Sequence, residues 1–120
     1  MTSILIVDDS PTEIHVLKTM LEKNDFSVST AASGEEGIEK AKAEHPDLIL
    51  MDVVMPGMNG FQATRHISSD PSTSSIPIII VSTKDQETDK MWGLRQGAKD
   101  YITKPAKEKD LVTKIQGLLP

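Results

Sequence analysis

Cysteine is absent from this 120-residue chain, which excludes disulfides and thiolate metal sites and fits a reducing compartment. Basic residues are also scarce, 13 against 18 acids, leaving a net charge of −5. With no cationic stripe to offset phosphate repulsion, a nucleic-acid surface is excluded. No apolar run approaches the ~18 residues of a membrane span, and no basic leader precedes the first run. The cytoplasm is therefore the expected location, with no membrane partner. Repeats, linkers and low-complexity segments are missing too. The remainder is ordinary for a soluble globular chain, 38% hydrophobic and 26% charged, with the length of one domain.

Strand and helix patterns alternate five times. Short apolar, β-branched runs between polar breaks predict strands at 3–7, 27–31, 47–51, 76–82 and 100–103. The first helix is expected to start at Pro11 behind a Ser10 N-cap, with Ile14, Leu17 and Leu21 on one face. The second, over about 35–44, buries Ile38 and Ala41 and ends before His45-Pro46. The third, over about 59–68, carries Phe61 and Ile67. The fourth, over about 85–97, carries Met91, Leu94 and Ala98, with Gly97 as a C-cap candidate. The fifth, over about 107–118, turns Leu111, Ile115 and Leu118 inward. Alternating βα units imply an α/β fold, a parallel sheet with right-handed crossovers and helices on both faces. The polar stretch 68–75 is expected to be a mobile loop.

Three carboxylates stand where apolar runs stop, Asp8 and Asp9 after SILIV and Asp52 after DLILM. Lys104 follows DYIT and precedes Pro105. Any one of these acids alone reads as a turn residue or strand terminator. Together they fall at strand carboxyl ends, where open α/β sheets place their sites. Like charges brought to about 4 Å repel by about 4 kcal/mol per pair at an effective dielectric of about 20. A divalent metal together with Lys104 is the economical counter-charge. His15, His45 and His66 show no ligand spacing and read as surface or turn residues.

The segments ILIVDDS (4–10), LILMDVVMPGMNG (48–60), PIIIVST (77–83) and GAKDYITKP (97–105) stand in an order and spacing that resembles the receiver domains of two-component response regulators, stand-alone chemotaxis-type ones in particular. The resemblance covers essentially the whole chain. It implies a flavodoxin-like, doubly wound (βα)5 fold with strand order 2-1-3-4-5, and one receiver domain over 1–120 with no output domain. It further implies Asp52 as the phosphoacceptor, charged by a histidine kinase or a small phosphodonor. Asp8 and Asp9 match the acids that hold Mg²⁺, with Asp52 and the backbone carbonyl of Val54 as further ligands. Mg²⁺ suits such hard oxygen donors. Lys104 matches the cation on the phosphoryl oxygens, and Pro105 the proline after a cis peptide bond.

Ser82 matches the hydroxyl residue that follows the phosphoryl group, and Tyr101 the aromatic that changes rotamer with it. Each also reads plainly, Ser82 as a strand-end turn residue and Tyr101 as a half-buried tyrosine. On the switch reading, Ser82 moves inward, Tyr101 turns into the vacated space, and the fourth helix repacks around Met91 and Leu94. Met91, Trp92 and Tyr101 then belong to the signalling face. The expected partners are a chemosensory histidine kinase and an effector protein, or no effector if the chain is a phosphate sink. A monomer is expected.

DDSPTE (8–13) and STKDQETDKMWGLRQGAKDY (82–101) are similar to stand-alone regulators of type IV pilus chemosensory systems, which implies a role in twitching or phototactic motility. A competing class is the Mg²⁺-dependent phosphatase with an aspartyl nucleophile. Those enzymes carry a second Asp two residues after the first. Here that position is Val54, which cannot shuttle a proton, so enzymatic turnover is not expected beyond phosphorylation and dephosphorylation of Asp52 itself.

Overall fold

The computed structural model describes residues 1–120. Five strands, β1 (Ser3–Val7), β2 (Ser27–Ala31), β3 (Leu48–Met51), β4 (Ile78–Ser82) and β5 (Asp100–Thr103), alternate with five helices. These are α1 (Pro11–Lys23), α2 (Gly34–Glu44), α3 (Gly60–Ser69), α4 (Glu87–Arg95) and α5 (Glu108–Leu118). All strand pairs are parallel, and the order across the sheet is β2-β1-β3-β4-β5. The expected doubly wound architecture is the observed one.

Both sheet faces are covered, which explains the uninterrupted apolar runs. Successive residues point to opposite sides, so Leu5, Val7, Ile49, Met51, Ile78 and Ile80 pack with Ala41, Ala63 and Ile67 of α2 and α3. Their neighbours Ile4, Ile6, Leu48, Leu50, Ile79 and Val81 pack with Leu17, Leu21, Leu111 and Ile115 of α1 and α5. The chain leaves β1 in one direction to reach β2 and returns across it to reach β3. The carboxyl ends of β1 and β3 therefore flank the topological switch point, where the sheet opens a crevice.

Helix α4 departs from expectation. It spans nine residues, and Met91 and Leu94 are 59% and 49% exposed. The helix lies on the sheet through Gly93 instead, where a Cβ would come within 2.7 Å of Ile80 Cδ1. A face that buries a glycine backbone carries no apolar signal, so periodicity pointed to the wrong side. Ala98 is buried beyond the helix end, and Gly97 takes φ +117° just after the Gln96 cap.

The stretch 68–75 also differs from the expected loose loop. Asp70 accepts hydrogen bonds from the Ser72 amide (2.9 Å) and hydroxyl (2.8 Å), while the buried Thr73 hydroxyl donates to the Ile67 carbonyl at 2.7 Å. Asp70, Ser72 and Thr73 thus hold a turn.

Candidate functional site

Asp8 and Asp52 are placed by the sheet itself. The Asp8 amide donates to Ala31 O (3.0 Å), and the Asp52 amide donates to Val7 O (2.9 Å), so each prolongs a ladder by one residue. The next chain segment must turn away. After Asp8 it does so through Ser10, whose hydroxyl accepts from the Glu13 amide (3.3 Å) and starts α1. After Asp52 it folds back through Pro56-Gly57, with Gly57 at φ +73°, and enters α3 at Gly60. A Cβ on Gly60 would stand 1.8 Å from the Asp52 carbonyl oxygen, so only glycine lets α3 begin against the acid.

Lys104 arrives from the far side. Its amide donates to Ser82 O (2.8 Å), its peptide bond to Pro105 is cis, and its ammonium reaches back across the ends of β3 and β4. The Nζ lies 2.9 Å from Asp8 Oδ2, 3.4 Å from Asp52 Oδ1 and 3.7 Å from Glu13 Oε2. Asp8 Oδ1 meanwhile accepts from the Ser10 amide at 2.9 Å. Carboxylate oxygens of Asp8, Asp9 and Asp52 all lie within 4.8 Å of one another. Asp8 and Asp52 are buried and Asp9 is exposed, which leaves the cluster open to solvent on one side.

The electrostatics follow from that crowding. Burial, with the Asp8 charge adding to it, pushes the Asp52 carboxyl up from 3.8 to about 6, and Lys104 offsets only part. For Lys104, burial alone would favour loss of the proton. The hydrogen bond to Asp8 and the charges of Asp52, Asp8 and Glu13 outweigh it, so the ammonium is held above its usual range. Three acids face the one ammonium and Asp9 stands beside Asp8 and Asp52, which leaves an excess of negative charge, and every donor is a hard oxygen. Those residues fit a small divalent cation of the Mg²⁺ type.

Ser82 is fully buried at the end of β4, and its Oγ accepts from the Lys84 amide at 3.1 Å. Tyr101 is 9% exposed, and its hydroxyl donates to the Lys84 carbonyl at 2.7 Å. Burial raises the Tyr101 pKa, so the hydroxyl keeps its proton as a donor. The tyrosine is turned inward, packed beside Gly93. Met91, Trp92 and Leu94 project outward from α4. The Val54 side chain is 59% exposed beside the loop, with no acid at that position. Glu13 was not singled out in the sequence. Its signal was the Ser10-Pro11-Thr12-Glu13 spacing of a capping box, which marks a helix start rather than a site.

The model of the response regulator receiver domain matches residues 4–116, and the chain belongs to that family of phosphoacceptor signalling domains of two-component systems. It is 58% identical to protein PilH of Pseudomonas aeruginosa over 119 residues, covering 99% of this chain and 98% of that one. Further curated relatives are longer, and the chain spans from 25% to 53% of their length. Among solved structures it is similar to the chemotaxis protein CheY4 of Vibrio cholerae, with TM-score 0.92, 30% identity and 99% of each chain covered. It is also similar to the receiver domain of the sensor histidine kinase PA1611 of Pseudomonas aeruginosa (TM-score 0.90, 31% identity, 98% and 96% covered). That structure holds a magnesium ion in its active-site cleft.

Proposed function

We propose that the chain is a cytoplasmic receiver that takes a phosphoryl group onto Asp52. The observation carrying this reading is the convergence of Lys104 and the acids Asp8 and Asp9 on one partly buried carboxylate. Asp8, Asp9, Asp52 and the Val54 carbonyl are the Mg²⁺ ligands on this reading. The metal, when bound, neutralises charge between Asp52 and the incoming phosphoryl oxygens. An Asp52 carboxylate oxygen attacks phosphorus, the bond to the donor's leaving group breaks, and that group departs with the electron pair. The donor is a phosphohistidine of a kinase or a small acyl phosphate. No base is required, because a carboxylate needs no deprotonation, so positioning and charge neutralisation do the catalysis. Lys104 leaves Asp8 for the new phosphoryl oxygens.

The phosphoryl group adds roughly −1.5 to −2 charges and strong acceptor oxygens beside Ser82. If the Ser82 hydroxyl turns to donate to it, the Lys84 amide loses its acceptor, and the segment that also receives Tyr101 is released to move. The signal is then carried by the backbone at Lys84 to α4. Met91 and Trp92, exposed and lining a cavity of about 210 Å³ with Thr88 and Arg95, face the effector. The similarity to protein PilH, together with the segments 8–13 and 82–101, supports a place in pilus-based motility. No helix is long and apolar enough to cross a membrane.

Phosphotransfer profiling tests the reading. Purified chemosensory histidine kinases, charged with labelled ATP, should pass label to the chain in Mg²⁺ and not to Asp52→Asn. Undiminished labelling of Asp52→Asn would overturn it.

A further inference from the structure

Ser10 and Glu13 hold the positions of a capping box, yet only half of the box forms. The Glu13 amide donates to Ser10 Oγ, but the reciprocal bond is missing, because the Ser10 amide donates to Asp8 Oδ1 at 2.9 Å. Relieved of that task, the Glu13 carboxylate turns to Lys104, with Oε2 at 3.7 Å from Nζ. Its side chain is 40% exposed, whereas those of Asp8, Asp52 and Lys104 are 2%, 9% and 10% exposed. Glu13 thus forms the solvent-side wall of the ammonium. A donor approaching Asp52 must bring its phosphoryl oxygens to the Lys104 proton that Glu13 faces.

Resting on the phosphoacceptor reading, we infer that Glu13 is a positioning residue for Lys104 that selects against small, highly charged phosphodonors. It does so in two ways. It competes for the ammonium that must swing to the phosphoryl oxygens, and it adds a fixed negative charge at the entrance. Both oppose a free dianion most. A phosphohistidine presented by a docked protein brings binding energy from remote contacts to offset the repulsion, and a free small molecule has none. Glu13 would slow the charging of Asp52 by free acyl phosphates relative to charging by a kinase.

The test compares acetyl phosphate, a dianion at neutral pH, with phosphoramidate, which is monoanionic there. In both, the Asp52 oxygen attacks phosphorus and acetate or ammonia leaves; taking the ratio of variant to parent for each donor cancels their different intrinsic reactivity and leaves the effect of the Glu13 charge. In Mg²⁺, E13Q should raise the labelling rate about fivefold with acetyl phosphate and about twofold with phosphoramidate, both gains shrinking as salt screens them. E13D, which keeps the charge, should retain the parental ratio between donors. In metal-free denaturant titrations, the midpoint shift caused by E13Q should differ between the parent and a Lys104→Met background, as coupled side chains require. Equal acceleration for both donors, no acceleration, or equal midpoint shifts in the two backgrounds would overturn the inference. Failure of the parent to label from a charged kinase as well would instead strike the phosphoacceptor reading.

Discussion

The Lys104 ammonium lies nearer to Asp8, at 2.9 Å, than to Asp52, at 3.4 Å. In the resting protein the lysine is therefore bonded most tightly to an acid assigned to the metal, and the proposed phosphoacceptor has the weaker share. Charging Asp52 then exchanges partners rather than creating a new ion pair. Two consequences follow for stability. Lys104→Met should destabilise the metal-free protein by about 3 kcal/mol, because Asp8 and Asp52 would lose their common counter-charge in a buried place. Added Mg²⁺ should restore part of that loss. Denaturant titrations with chelator and with metal measure both.

The raised pKa of Asp52 predicts a pH dependence of known sign. The folded protein binds this proton more tightly than the unfolded chain, about 6 against 3.8, so ionisation opposes folding. The cost is fully present above about pH 6 and vanishes as pH falls toward about 4. At pH 7 without metal, Asp52→Asn should be more stable than the parent by roughly 2 to 3 kcal/mol. Near pH 4 the two midpoints should converge. A constant difference across that window would contradict the assigned cause.

Gly60→Ala tests the close approach of α3 to the site. A methyl group 1.8 Å from the Asp52 carbonyl has no flexible neighbour to displace, only backbone. The substitution should cost more than about 3 kcal/mol and slow labelling of Asp52. Gly93→Ala meets the movable tip of Ile80 at 2.7 Å and should cost about 1 kcal/mol. Thermal melts of the pair would show the contrast.

Tyr101 and Ser82 both hold Lys84, one at its carbonyl and one at its amide. Tyr101→Phe removes the first hold and should cost about 1 kcal/mol. It should also alter the response of Trp92, which sits half-exposed on α4, to beryllofluoride with Mg²⁺. The parent should show a Mg²⁺-dependent emission change, and Ser82→Ala should lose most of it. An unchanged response in both variants would place the switch elsewhere.

The order of elements was legible because every central strand is an apolar run ended by a polar residue; Asp8 and Asp52 are two of those terminators, and Lys104 follows the edge strand β5. The two-core packing was legible for the same reason, through Leu17, Leu21, Leu111 and Ile115 at helical spacing. Helix α4 was misread because a helix seated on Gly93 hides its inner face from hydropathy. Glu13 was missed because its spacing from Ser10 announces a cap, and only the folded chain shows Asp8 taking over that role. The turn at 70–73 was missed because Asp70 and Ser72 pair with each other and Thr73 bonds to the Ile67 carbonyl, uses that composition cannot separate from solvation.

Site mapping of the phosphoryl group tests the central claim most directly. After incubation with acetyl phosphate and Mg²⁺, borohydride reduction converts an aspartyl phosphate to homoserine, and peptide masses locate it. The modification should fall at Asp52, depend on Mg²⁺ and be absent from Asp52→Asn. Modification at another residue, or equal modification in the presence of chelator, would contradict that claim.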